Sequence, residues 1–253
     1  MKAHSLSKTL ILLALLLAPF LFQASAQEVA ASPNEVSFRL SLEGQSFSKA
    51  VNIFLLMTAL SLAPAAIMMM TSFTRVVIVL SFLKQALGTQ QAPSARIVSA
   101  LALFLTIFIM QPAWSEVYEN AIVPYTNKEI DEQTAMDKGI APIKDFMLRQ
   151  TRDSSLLLFM DLAGMEPVDS PEDLSLRIIL PAFMVSELRT AFQMGFLIYL
   201  PFLLVDIVVA TSLMSMGMMM LPPMMISLPF KLLLFILVDG WGLTVRSLVA
   251  SFL

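Results

Sequence analysis

Residues 191–238 form an almost unbroken apolar tract with a proline pair, Pro222-Pro223, set inside it. Such a tract cannot be one helix. Pro222 has no amide hydrogen to donate, and it biases Leu221 away from helical geometry. The helix running from Ala191 is therefore expected to end or kink near Leu221, with Gly217, Pro222 and Pro223 making the turn into a second apolar helix. Residues 213–225 read LMSMGMMMLPPMM, in which seven of thirteen residues are Met. Methionine is long, unbranched and soft, and it repacks at low cost. Two readings are open at this point. The thioethers are either filler in a core or lipid face, or a seal that closes on nothing and opens around something. Met68 to Met70 is a second triplet without a proline pair beside it, and it reads as packing.

At the other end, Lys2, His4 and Lys8 precede an apolar stretch at residues 10–22, followed by Ala24-Ser25-Ala26. A basic head, a short apolar middle and an A-x-A end read as a secretory signal peptide, residues 1–26, cleaved after Ala26. Such a signal sends a bacterial chain to the inner membrane or periplasm. Cleavage removes the only His, and the chain has no Cys. Histidine–cysteine zinc sites, cysteine nucleophiles and His-based triads are then excluded. Losing two lysines also moves the formal net charge from −3 to −5, so there is no basic field for nucleic acid. No metal and no cofactor is expected. With 57% hydrophobic and 14% charged residues, the chain falls in the membrane class. Residues 27–48 are polar and mixed, with a short strand expected at 36–40.

Four apolar runs follow, at residues 50–70, 97–114, 191–221 and 224–238, each long enough or nearly so to span a bilayer. The connection between the first two carries Arg75, Lys84 and Arg96 and no acid, whereas residues 115–185 carry six Lys and Arg against thirteen Asp and Glu. The positive-inside rule puts the first connection in the cytoplasm and the acidic one outside. In that reading Arg75 serves topology. Trp114 and Trp241, at run ends, read as interfacial anchors. Other features fit lipid badly. Glu187, Asp206, Lys231 and Asp239 lie in or beside the apolar runs, and prolines interrupt them. Charges and broken helices at membrane depth survive only against protein or water. Opposite signs on different runs point to inter-helix or inter-subunit bridges, with Glu187 or Asp206 as partner to Lys231.

The acidic connection carries helix signals of its own. Pro142 is placed to open a helix that Gly164 stops. Ser170, followed by Pro171, Glu172 and Asp173, reads as the N-cap of a helix that meets Pro181. The expected fold class is all-α: long helical hairpins broken by proline, membrane-associated, with residues 49–253 as one domain and an acidic helical region at 115–185.

Several stretches carry a resemblance. PAFMVSELRTAFQMG at 181–195 and PFKLLLFILVDGW at 229–241 resemble the two signature stretches of the FliP family of flagellar biosynthetic proteins. TSFTR at 71–75, QALGT at 85–89, FMLRQTR at 146–152 and GMMMLPP at 217–223 are similar to the same family. The resemblance runs from about Ser48 onwards. It implies the core of the export gate of the flagellar type III secretion system. Several copies, five in the family's complexes, wind into a helical ring with FliQ-like and FliR-like partners, at the centre of the basal body and largely lifted out of the membrane plane. Unfolded flagellar subunits pass through its axis. The related gate proteins of virulence type III secretion share the C-terminal signatures but usually lack a cleaved signal, so the signal favours the flagellar branch. Charges and prolines would then face neighbouring subunits rather than lipid.

The resemblance also implies roles. Met218, Met219 and Met220 match the family's methionine constriction. Successive helical residues point about 100° apart, so the triplet is expected to leave regular helix if it is to face one pore. Two other classes remain open on the residues alone. A secondary transporter also has broken helices and mid-run charges, although no repeat is detectable. An intramembrane enzyme would have to use carboxylates, and Asp206 and Asp239 share no recognisable spacing with another acid.

Overall fold

The computed structural model describes residues 46–89, 93–165, 170–218 and 221–252. The signal segment at 1–26, the polar stretch at 27–45 and the strand expected at 36–40 lie outside the described residues. Every regular element among those described is helical. The chain divides into two units, one ending at Ala66 and one from Ile67 to Leu253.

The described part of the first unit is the greater part of α1 (Ser46–Met69), with Pro64 inside it. Val51–Met69 is long and apolar enough to cross a membrane.

The second unit is built along one 40-residue helix, α8 (Leu176–Ser215), about 60 Å long at 1.5 Å per residue. Three apolar layers follow one another down its length. The first gathers Met110, Phe146, Met147 and Leu156 around Ile179 and Phe183. The second packs Val76, Val79, Val98 and Ala102 on Ala191. The third sets Leu83, Ala86, Leu87 and Phe235 against Phe202. Burial of such side chains is worth about 1.5–3 kcal/mol each.

Beside α8 lies α2 (Phe73–Ala86), buried along Val76, Val79, Leu80 and Leu83. Its early residues meet the early part of α8 and its late residues the later part, so the two run parallel. The sequence reading treated this stretch as a loop between spans, and the structure corrects that. The apolar spacing at 76, 79, 80 and 83 is helical, but fourteen residues are too few to span a bilayer. Close approach between the two helices depends on Gly195. A Cβ there would lie 2.6 Å from two ring atoms of Phe82, which in turn meets Phe192 edge-on at 5.4 Å between centroids. Gly195→Ala should therefore destabilise the unit by about 1–3 kcal/mol, read as a lowered Tm of the detergent-solubilised protein. An unchanged Tm would mean that Phe82 swings aside freely.

Four proline and capping expectations are corrected. Pro142 lies inside α6 (Glu132–Gln150), which instead starts at Asp131, whose side chain accepts from the Thr134 amide. A hydrogen bond to Thr134 holds the Asp131 carboxyl below its usual pKa. Thr151 and Arg152 are extended, which breaks the expected single helix, and α7 (Asp153–Leu162) then stops before Gly164 at φ +63°. Pro181 does not end a helix but sits six residues into α8, and Pro201 lies further along it. Each removes one backbone donor, and tertiary packing of the long helix outweighs that loss. Ser170 precedes only a short turn, Pro171–Asp173, and α8 starts after Ser175.

The second expected run is bent. α3 (Ala95–Ile109) gives way at Met110 to α4 (Gln111–Val117), a π turn (Tyr118–Ile122) and α5 (Val123–Thr126), with a bend of 56°. Likewise α9 (Pro223–Leu237) and α10 (Gly240–Ala250) meet at 63°. Two helices are thus long and apolar enough to cross a membrane, or four if each bent pair is one span. The outer face of α8 is apolar and exposed, including Phe192, Phe196, Leu197, Leu204 and Ile207. A contiguous apolar face of this kind is not left in water.

Candidate functional site

At the α8–α9 turn it is Gly217, not the proline pair, that ends α8. Helix α8 ends at Ser215, six residues before the expected boundary at Leu221, because Gly217 takes φ +75°. Its amide donates to the Met214 carbonyl at 3.0 Å, and the Met218 amide donates to the Leu213 carbonyl at 3.0 Å. These two bonds are the Schellman pattern, which a residue in left-handed geometry closes at least cost when it is glycine. Pro222, with ψ 116°, then leads into Pro223 at the first position of α9. Glycine stops the first helix and proline starts the second.

Met218 consequently lies beyond the helix, while Met219 and Met220 lie outside the described residues. The neighbouring thioethers are displayed rather than buried. Met216 and Met225 are each 72% exposed, and Met214, Met218 and Met224 are exposed as well. By contrast, Met147 is 0% exposed within the first core layer.

Below this turn two buried cations hold the helices. Lys231 on α9 places Nζ 2.6 Å from Asp206 Oδ2 on α8, and it also donates to the Ala86 carbonyl at 3.2 Å. Ser227 Oγ donates to Asp206 Oδ1 at 2.6 Å. Lysine at this place also faces the negative end of the α2 dipole. Three helices meet on one ammonium group. Of the two partners expected for Lys231, the structure brings it Asp206.

Glu187 instead meets Arg75, near the start of α2. Arg75 Nε donates to Glu187 Oε2 at 2.9 Å, and Nη2 pairs with Oε1. Nη2 also reaches Gln150 Oε1 at 2.9 Å, while Nη1 reaches the Ser251 carbonyl at 2.8 Å and its hydroxyl at 3.0 Å. The guanidinium lies 3.8 Å over the Phe252 ring. All five of its N–H groups are used. Arg75 is 2% exposed, so its assignment to topology alone is corrected.

Asp239 joins no ion pair among the described residues. It caps α10 from a left-handed conformation, φ 49°, and accepts from the Gly242 amide. A third polar contact went unread in the sequence. The Arg152 amide donates to Ser186 Oγ, Ser186 reaches Ser155 at 3.0 Å, and the Arg152 side chain donates to Gln193 at 2.8 Å. The signal was there: FMLRQTR and PAFMVSELRTAFQMG, two of the stretches carrying the family resemblance, supply Gln150, Arg152, Ser186, Glu187 and Gln193. Trp241 packs edge-on against Phe235 at 5.5 Å, and Trp114 packs on the first core layer.

An open groove of about 330 Å³ between α8, α9 and α10 is lined by Leu83, Pro201, Phe202, Phe235, Leu243 and neighbours. No titratable side chain lines it. Among the described residues, no group of three or more His, Cys, Asp or Glu is placed to hold a metal ion.

Long apolar helices able to cross a membrane, an exposed methionine turn and charges spent on helix-to-helix clamps define a helical protein of the membrane-associated class. A model of the FliP family matches residues 56–248, and the chain belongs to that family. It is 53% identical over 209 residues to the flagellar biosynthetic protein FliP of Cereibacter sphaeroides, covering 83% of this chain and 69% of that one. The FliP of Pectobacterium carotovorum subsp. carotovorum is 50% identical over 220 residues, 87% of this chain and 85% of its own. That of Bacillus subtilis (strain 168) is 51% identical over 212 residues, 84% and 96% respectively.

Proposed function

We propose that this chain is a pore-forming core subunit of the flagellar type III protein export gate in the bacterial inner membrane. Several copies, five by resemblance, assemble into a helical ring with FliQ-like and FliR-like partners, and unfolded flagellar subunits thread its axis. The methionines of the α8–α9 turn, Met218, Met219 and Met220 above all, form the constriction. The observation that carries this reading is the display of thioethers at a turn fixed by Gly217 and Pro222-Pro223. A soft apolar ring of this type excludes water when closed and deforms around a passing chain. The Lys231–Asp206 clamp ties α8 to α9 below the turn. Membership of the family and apolar helices able to cross a membrane support the reading.

The test is a permeability assay. The triple substitution Met218→Ala, Met219→Ala, Met220→Ala removes side-chain volume without touching the clamps. Cells carrying it should assemble the gate and take up small dyes or ions faster than wild type. An intact permeability barrier in an assembled triple variant would count against the seal.

A further inference from the structure

With no Cys in the chain, the thioethers are its most readily oxidised side chains. Their exposure is uneven. Met110, Met147 and Met160 are buried in the first core layer. Met214, Met216, Met218, Met224 and Met225 are all exposed and fall within twelve residues on the α8–α9 turn and the helix ends beside it. We propose that this turn is a modification site, at which a two-electron oxidant of the peroxide class converts methionine to methionine sulfoxide and thereby opens the seal. The consequence for permeability rests on the gate reading above; the modification itself does not.

In the reaction the thioether sulfur attacks one peroxide oxygen. The O–O bond breaks as an S–O bond forms. Sulfur loses two electrons, and the peroxide is reduced to water. The product carries a strongly accepting oxygen where an apolar sulfur stood. A narrow apolar ring holds water out by dewetting, and several S–O dipoles at its rim give water hydrogen-bond partners there. The step is reversible, because methionine sulfoxide reductases return each epimer to the thioether. The buried core methionines are shielded by their packing, so mild oxidation should alter the turn before the fold.

The full chain in its complete assembly, purified and reconstituted into sealed vesicles, provides the test. Dilute hydrogen peroxide should add oxygen to the turn methionines at least about tenfold faster than to Met110, Met147 and Met160, read by peptide mass spectrometry. Ion leak should rise in parallel and fall again after treatment with both reductases. Met57, Met69, Met136 and Met165 are also exposed. The control is therefore a variant with leucine at Met214, Met216, Met218, Met219, Met220, Met224 and Met225, which keeps those four in place and the turn apolar. It should not leak on oxidation. Equal peroxide-induced leak in that variant, or oxidised turns without any leak, would overturn the proposal. The alanine triple variant, measured without peroxide, separates the two ideas. If it leaks while oxidation does nothing, the seal stands and the switch fails; if neither leaks, both fail.

Discussion

Arg75→Ala is expected to cost about 3–5 kcal/mol, the usual consequence of leaving one member of a buried ion pair alone. Four things are lost together. Glu187, which is 0% exposed, is left buried with no cation beside it. Gln150 Oε1 loses its donor, the Ser251 carbonyl and hydroxyl lose theirs, and the Phe252 ring loses the guanidinium that stacks on it. The measurable result is a large fall in Tm and early proteolysis of the segment around Ser251 in detergent.

Two further variants separate the pair from its packing. Arg75→Lys keeps the charge but gives up the planar fork, so it should recover little of the loss. Arg75→Met with Glu187→Leu removes both charges and fills the space with apolar atoms, and such replacements are often neutral. The double variant should therefore be more stable than Arg75→Ala, and the double-mutant cycle should show strong coupling. Additive losses would mean that the ion pair is not what holds α2 to α8.

How much of this was legible in the sequence differs from element to element. The Lys231 contact could be read because its members interrupt apolar runs, where a charge without a partner is too costly to keep. Arg75 was passed over because it stands in a short basic stretch, and basic residues there already had an explanation in topology. The helical spacing of Val76, Val79, Leu80 and Leu83 was the signal that the stretch is packed. Proline was over-read. Pro142, Pro181 and Pro201 all lie within helices, because packing along the helix outweighs one missing hydrogen bond. Glycine was under-read: at Gly217 the left-handed turn, not Pro222, stops α8. Asp239 looked like a pairing charge because position in a run does not distinguish a cap from an ion pair.

Lys231→Met should separate the end of α2 from the α8–α9 hairpin. Methionine keeps most of the length and the apolar stem but removes the ammonium group. Asp206 then retains only the Ser227 hydroxyl at 2.6 Å, and the Ala86 carbonyl loses its donor. Lys231 is 4% exposed but Asp206 is 27% exposed, so water screens the stranded carboxylate in part. The cost should therefore sit near the lower end, about 3 kcal/mol, below that of Arg75→Ala. The order of the two losses is itself a result that thermal unfolding can check. Lys231→Arg should not restore stability, because the ammonium already lies against the Ala86 carbonyl and the Gly88 turn and a longer group has no room. Asp206→Leu combined with Lys231→Met should recover part of the loss. Asp206 and Lys231 lie about two helical turns from Met214 and Met225, so failure of this clamp should reach the seal. Lys231→Met is expected to reduce the assembled particle on native gels and to raise ion leak in whatever assembles. Undiminished particles with a tight barrier would show that the clamp is dispensable to the hairpin.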